Sequence, residues 1–160
     1  MEQNYADATD IRLLELLQTD ASLSNQALAE RVHISPPTCL RRVKRLRDAG
    51  LIEREIAVLS PDKLAGVLGY GLSAVVEISL DQQGAEWLEA FEARVVADDA
   101  VQQCYRVSPG PDFILMVHVV DMPGYQALAQ RLFTSDANVR NVKAFFSVKR
   151  AKFQPKVLLT

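Results

Sequence analysis

Apolar residues in the first third of the chain recur every three or four positions, which is the spacing of an amphipathic helix. Three such segments follow one another, over 8–18, from Ser24 to Val32 and from Ser35 to Gly50. Their apolar faces consist of Ile11, Leu14 and Leu17, of Ala27, Leu28, Ala29 and Val32, and of Leu40, Val43 and Leu46. We therefore predict three helices in this part of the chain.

The third helix has the clearest boundaries. Ser35 is a preferred N-cap residue, and Pro36 suits the first helical position because the N–H that proline lacks needs no partner there. Gly50 suits the left-handed position that follows a helix. A short apolar hairpin is predicted next, over 51–61. Three helices and a hairpin are the element order of a winged helix-turn-helix, which we assign to residues 1–60.

The second half of the chain alternates between the period of strands and the period of helices. Strands are predicted over Leu72–Leu80, Val101–Val107, Phe113–Val120 and Val142–Val148, and helices over 84–97 and 122–134. If the crossover connections are right-handed, this order of elements gives a ferredoxin-like βαββαβ sandwich, with both helices on one face of the sheet. The predicted fold class is α+β, with a linker at 61–69 and a C-terminal domain at 70–160.

The third predicted strand, 113–120, is apolar on both faces. One face carries Phe113, Leu115, Val117 and Val119, and the other Ile114, Met116 and Val120. A strand that is apolar on both faces is usually buried on both. Helices cover one face, and no other segment of this chain is left for the second. We therefore predict a homodimer through this sheet; the alternative is an exposed apolar stripe without consequence.

The formal net charge of the 160 residues is only −2. Any nucleic-acid site must therefore come from a local cluster of basic residues. Between Ser35 and Arg47 the third helix carries basic residues and no acidic one: Arg41, Arg42, Lys44, Arg45 and Arg47. Opposite the apolar face project Thr38, Arg41, Arg42 and Arg45. A recognition helix in the major groove of double-stranded DNA needs this arrangement. The alternative is a solvated basic face, and the preceding helix and turn argue against it.

Catalysis and metal binding find little support. His33 and His118 have no cysteine or carboxylate partners at metal-ligand spacing, and no glycine-rich phosphate loop is present. Cys39 and Cys104 are expected to be reduced thiols. We predict a protein that is not an enzyme and has no cofactor.

The termini and the apolar runs predict a cytoplasmic protein without a membrane partner. The first ten residues lack the basic and apolar regions of a signal peptide, and the longest apolar run is too short to cross a bilayer. The basic C-terminus, 149–156, is interpreted as a solvated tail; the alternative is a contact with DNA.

The turn Ser108-Pro109-Gly110-Pro111-Asp112 is a second candidate site. Its two prolines stiffen the backbone, Gly110 permits the close approach of a ligand, and Asp112 offers a carboxylate to an ammonium group. A rigid turn without a ligand would need the same residues, so both interpretations stay open.

Taken together, these segments resemble the Lrp/AsnC family of leucine-responsive and asparagine-type regulators. The resemblance covers nearly the whole chain and is carried by DATDIRLLELLQTDASLSNQALAERVHIS, by SPPTCLRRVKRLRDAGLIEREIAVLSPDKLAG and by VQQCYRVSPGPDFILMVHVVD. It implies transcription control in response to an amino acid, and homodimers that assemble further. It places the reading of DNA on Ser35, Pro36, Thr38, Arg41, Arg42 and Arg45.

The resemblance also implies an effector pocket at a subunit contact near Ser108, Gly110 and Asp112. The sequence departs from the family's pattern at one place, because Pro109 stands where a glycine usually precedes the aspartate by three residues. The predicted function is a sequence-specific DNA-binding transcription regulator that responds to an amino acid or a related small molecule. The alternative is a ligand-binding or catalytic ferredoxin-like protein whose helix-turn-helix mediates protein contacts.

Overall fold

The computed structural model describes residues 6–69 and 71–159. The chain forms two compact units: the first runs through Val58 and includes the segment from Lys152 onward, and the second is Leu59–Ala151. The first unit thus includes the last residues of the segment predicted as the C-terminal domain, 70–160.

The helices of the described chain are α1 (Ala8–Thr19), α2 (Asn25–Arg31), α3 (Pro36–Asp48), α4 (Pro61–Leu68), α5 (Ala85–Val96) and α6 (Met122–Ala129), which continues as a π-helical turn, Gln130–Thr134. The strands are β1 (Leu72–Leu80), β2 (Val101–Arg106), β3 (Phe113–Val119) and β4 (Val139–Phe146).

Helices α1 to α3 enclose the core of the first unit. Each helix is capped by a side chain that accepts a backbone N–H of its first turn. The capping residues are Asp7 for α1, Ser24 for α2 and Ser35 for α3. The buried apolar residues are Leu13, Leu17, Leu28, Ala29, Cys39, Val43 and Leu46. Leu40, which the pattern assigns to this core, is 59% exposed. That assignment is wrong because the buried stripe of α3 begins at Cys39.

The segment after α3 departs from the predicted wing. Residues 51–60 are all described and contain no strand, so the hairpin predicted over 51–61 is absent from them. The predicted linker, 61–69, is mostly α4. This helix starts with the same signals as α3, because the Ser60 hydroxyl accepts the Lys63 N–H (3.4 Å) and Pro61 stands at the first position.

The second unit is a four-stranded antiparallel sheet in the order β2-β3-β1-β4. Together with the crossover helices α5 and α6, this is the strand order of a ferredoxin-like βαββαβ sandwich, and it confirms the predicted α+β fold. Strand β1 is central and pairs with β3 from Leu72 opposite Val119 to Ile78 opposite Phe113.

One face of the sheet forms the main core with α5 and α6. Its buried residues are Ala74, Val76, Ile78, Leu80, Phe91, Val95, Phe113, Leu115, Val117, Leu128, Leu132 and Phe133. The rings of Phe91 and Phe113 lie 4.9 Å apart between centroids. Trp87, on α5, is 42% exposed.

The opposite face of the sheet carries apolar side chains that remain accessible. On β3, Ile114 and Met116 are half-buried. Tyr105 pairs with Ile114 on one side, and Phe145 of β4 flanks β1 on the other; both are more than half exposed. None of the helices in the described ranges is long and apolar enough to cross a membrane.

The C-terminal segment is anchored to α1, although it is predicted as a solvated tail. The Gln18 side chain donates from Nε2 to the Val157 carbonyl (3.0 Å) and accepts the Val157 N–H at Oε1 (2.9 Å). The Lys156 ammonium donates to Thr19 Oγ1 at 2.9 Å. These contacts join residues 137 and 139 positions apart, which no local pattern reveals.

Candidate nucleic-acid interface and effector turn

A tight turn between α2 and α3 fixes where α3 begins. His33 adopts the left-handed region with φ 57°. Its N–H donates to the Glu30 carbonyl (3.3 Å), and the Ile34 N–H donates to the Ala29 carbonyl (3.0 Å). This pair of bonds is the Schellman motif, which ends a helix and turns the chain. The backbone role of His33 accounts for its position without a ligand.

The first turn of α3 holds three of the predicted DNA-reading residues. Ser35 Oγ accepts the Thr38 N–H (3.4 Å) and donates to Thr38 Oγ1 (2.9 Å). The Pro36 carbonyl accepts from Asn25 Nδ2 at 2.8 Å. Ser35 and Pro36 are exposed and Thr38 is half-buried. These residues therefore build the helix start and stand beside its exposed face.

The exposed face of α3 is rotated from the predicted one. The buried residues lie on one side of the helix: Cys39, Val43 and Leu46. At 100° per residue, the opposite side is formed by exposed residues at i, i+4 and i+7: Pro37, Arg41 and Lys44. The sequence pattern misses Pro37 and Lys44 because placing Leu40 in the core turns the helix by about 30°.

Arg42 and Arg45 are directed toward a buried carboxylate of α1. The side chain of Asp10 is 0% exposed. Its Oδ1 accepts from Arg42 at 3.0 Å and its Oδ2 accepts from Arg45. Arg42 also donates to Asp7 Oδ2 at 2.6 Å. The structure thus brings two predicted DNA-reading arginines into an ion-pair cluster with Asp7 and Asp10, which we call the Asp10 cluster.

Ion pairs divide the basic residues of α3 into two groups, because Arg42 and Arg45 pair within the Asp10 cluster and Arg47 pairs with Glu55. The hydrogen bond from Arg42 lowers the pKa of Asp7, and the bonds that Arg42 donates to Asp7 and Asp10 raise the pKa of Arg42. The ion pair between Asp7 and Arg42 is therefore maintained near neutral pH. Arg41 and Lys44, by contrast, form no ion pair with the described residues, so their charge is available to a ligand.

The predicted effector residues lie together on the turn between β2 and β3. Ser108 and Gly110 are exposed, and Gly110 has φ 123°, a conformation that favours glycine. Asp112 is half-buried at the start of β3. Its N–H donates to the Ile78 carbonyl at 2.8 Å, so the turn is attached to the end of β1.

The Asp112 carboxylate already has partners within the chain. Its Oδ2 accepts the Leu80 N–H at 2.7 Å and the Gln83 side-chain amide at 3.3 Å. Oδ1 has no hydrogen bond to the described residues. Asp112 therefore closes the end of β1 with one oxygen and can offer the other to a ligand.

The remaining candidates have packing partners. His118 Nδ1 lies 2.9 Å from Ser73 Oγ, and its ring lies so close to Gly71 that a Cβ there would come within 2.8 Å. Cys39 is buried and Cys104 is half-buried, and both are free thiols. Within the ranges 6–69 and 71–159, no group of histidine, cysteine and carboxylate side chains is arranged to hold a metal ion.

Comparison with known proteins identifies both units. Residues 7–53 match the family model of a winged helix-turn-helix DNA-binding domain, and residues 73–157 match that of the Lrp/AsnC ligand binding domain. The chain is 36% identical to a leucine-responsive regulatory protein of Rhizobium meliloti, covering 91% of both chains. It is 35% identical to the DNA-binding transcriptional activator DecR of Escherichia coli, over 92% of this chain and 94% of that one.

Solved structures give the same result. An AsnC family transcriptional regulator from Agrobacterium tumefaciens superposes with a TM-score of 0.84 at 29% identity, covering 96% of this chain and 97% of that one. A transcriptional regulator from Neisseria meningitidis in complex with L-methionine gives 0.83 at 32% identity, with the same coverage. All four of these proteins are transcription regulators.

Proposed function

Because the chain belongs to the Lrp/AsnC family of DNA-binding transcription regulators, we propose that its helix α3 reads operator DNA with the face formed by Pro37, Arg41 and Lys44. The observation that carries this assignment is the exposed, unpaired charge of Arg41 and Lys44 opposite the buried stripe of α3. The predicted Ser35, Pro36 and Thr38 lie at the helix start, which is the end that enters the major groove in helix-turn-helix proteins.

The proposed contacts divide into base contacts and phosphate contacts. Arg41 lies nearest the helix start among the exposed basic residues of α3, where its fork can meet guanine O6 and N7. Lys44 and the exposed part of Arg45 lie one turn further on and suit phosphates, which fix orientation without reading sequence.

Salt titration of DNA binding tests these roles. The probes are a duplex selected by the wild-type protein from a random pool and an unselected duplex of equal length. Lys44→Ala should lower the log–log salt slope by about 0.9 on both duplexes. Arg41→Ala should cost about 1–3 kcal/mol on the selected duplex and relax its sequence preference. Arg12→Ala, an exposed arginine of α1, is the control. Unchanged binding by an Arg41→Ala, Lys44→Ala double variant would exclude this face as the reader.

We also propose that the second unit binds an amino acid at the turn of Ser108, Gly110 and Asp112. The match to an Lrp/AsnC ligand binding domain and the L-methionine complex of a similar regulator support this class of effector. The exposed backbone at Gly110 and the Asp112 Oδ1 without a partner among the described residues suit an α-ammonium group, which forms charge-assisted hydrogen bonds with carboxylates.

Calorimetry with the twenty amino acids tests the effector proposal. Asp112→Asn should abolish the binding while keeping an acceptor for the Leu80 N–H, so the thermal midpoint of the variant should stay near that of the wild type. Binding that survives in Asp112→Asn, or no binding by the wild type, would remove this site.

We propose a homodimer through the open face of the sheet, with further assembly from dimers. The support is the apolar set around Met116, which a second copy of the chain would cover. A twofold dimer places two copies of α3 on DNA, so operator half-sites should be separated by about one helical turn or a multiple of it. Light scattering that finds a wild-type monomer would exclude this assembly.

A further inference from the structure

We propose that Asp10 is a positioning residue for DNA recognition: its buried carboxylate holds Arg42 and Arg45, so that Arg42 orients α3 and does not contact DNA. This inference rests on the proposed reading of DNA by α3. It reassigns Arg42 from the set predicted to touch DNA, and it gives a role to an acidic residue of α1 that the sequence pattern does not identify.

Both oxygens of Asp10 are used. Oδ1 accepts from Arg42, and Oδ2 accepts from Arg45 and from the Asp7 N–H at 3.0 Å. A carboxylate that is 0% exposed is strongly unfavourable unless it is paired and hydrogen-bonded. The surrounding groups satisfy that requirement, so the position of Asp10 constrains where α3 lies against α1.

Arg42 is held at the start of α1 through one guanidinium nitrogen, Nη1, which donates to both carboxylates. It bridges Asp7 (2.6 Å) and Asp10 (3.0 Å), and its side chain is only 25% exposed. Arg42 follows Arg41 by one residue, which places it about 100° around the helix from Arg41. A phosphate contact by Arg42 would bring a third anion beside these two carboxylates, and it would have to be made by a side chain with little exposed surface.

Arg45 occupies an intermediate position. It pairs with Asp10, yet its side chain is 55% exposed. A guanidinium has five N–H donors, so Arg45 can keep Asp10 and still donate to a phosphate. The Asp10 cluster therefore connects the interior of the first unit to the edge of the reading face.

A positioning role for Asp10 and simple charge counting predict opposite effects of Asp10→Asn on selective DNA binding. Asp10→Asn removes a negative charge close to the DNA-binding helix, and electrostatics alone would then strengthen binding to every DNA. If Asp10 positions α3, the same substitution lowers affinity for the selected duplex while affinity for the unselected duplex is kept or raised. We expect the ratio of the two affinities to fall at least tenfold.

Substitutions of Arg42 separate a positioning role from a phosphate contact. Arg42→Gln should lower the affinity ratio and leave the salt slope unchanged, whereas Arg41→Gln should lower the slope or the sequence preference by direct loss of a contact. Arg42→Lys should fail to restore the ratio, because the lysine ammonium ends one bond short of the position of Arg42 Nη1, the atom that donates to both carboxylates. A phosphate contact, in contrast, tolerates lysine as a point charge.

A double variant keeps the test informative when single variants lose stability. Asp10→Asn combined with Arg42→Gln should lower the ratio no further than either change alone, because both remove the same linkage. All variants are assayed as the full chain at a temperature where circular dichroism shows native helix content. A salt slope lowered by Arg42→Gln and restored by Arg42→Lys would overturn the proposal, as would tighter selective binding by Asp10→Asn. Unchanged binding by Arg41→Gln would instead contradict the proposed reading face.

Discussion

The Asp10 cluster predicts a destabilisation confined to the first unit. In Asp10→Asn, the interaction of the carboxylate with two guanidinium groups is lost. A hydrogen bond to a charged group contributes about 1.5–3 kcal/mol, and we apply the middle of that range to Arg42. The bond to Arg45 is discounted to about 0.5 kcal/mol because that side chain is 55% exposed. The neutral amide of the variant avoids the cost of burying a charge, which offsets part of this loss, so the net destabilisation is about 2 kcal/mol.

A loss of this size is large for a unit so small. With roughly 65 residues, the first unit has a free energy of unfolding of about 3–10 kcal/mol. A loss of 1 kcal/mol lowers the thermal midpoint of a domain of this size by about 4–8 °C. The midpoint of the first unit should therefore fall by about 8–16 °C.

Fluorescence and calorimetry together distinguish the unfolding of the two units. Trp87, the single tryptophan, lies on α5 of the second unit, so its fluorescence follows that unit, while calorimetry records both transitions. Glu53→Ala, a change at an exposed acidic residue of the first unit, is the control and should leave both transitions in place. A shift below about 2 °C, or an equal shift of the Trp87 transition, would refute the reasoning.

Three further predictions follow from single contacts. Met116→Lys should dissociate the proposed dimer, because a buried charge without a partner costs several kcal/mol; a variant that remains dimeric in light scattering would contradict the assigned face. The pKa of Asp98 is lowered by the bidentate bond from Arg131. Its contribution to stability is therefore complete above the unfolded value of about 3.9 and is lost as the pH falls through the lower folded value. Arg131→Gln should flatten the acid-induced decline of the second unit in urea titrations, and an unchanged profile would argue against the linkage. Deletion of the residues after Ala151 removes the contacts to α1 and should lower the midpoint of the first unit alone, which calorimetry can measure.

The fold follows largely from local signals in the sequence. Ser35 followed by Pro36 specifies the start of α3, and Gly50 at φ 72° ends it as predicted. The alternation along β1 places its apolar residues in the core, and the order of strands and helices limits the topology to few choices. These features depend on neighbouring residues, so they can be read along the chain.

Other features depend on contacts between distant residues. The choice of Cys39 rather than Leu40 for the core of α3 depends on how the other helices pack, because a stripe spaced by three residues fits either orientation. Similarly, the neighbours of Arg42 in the sequence are those expected for a DNA contact. Only the carboxylates of Asp7, at the N-cap of α1, and of Asp10, 35 and 32 residues earlier, direct it inward. The C-terminal segment gives no local sign that it returns to α1. In each case the physical reason is the same: burial and ion pairing depend on which partner the folded chain brings close, and that partner lies outside the window in which a sequence pattern can be read.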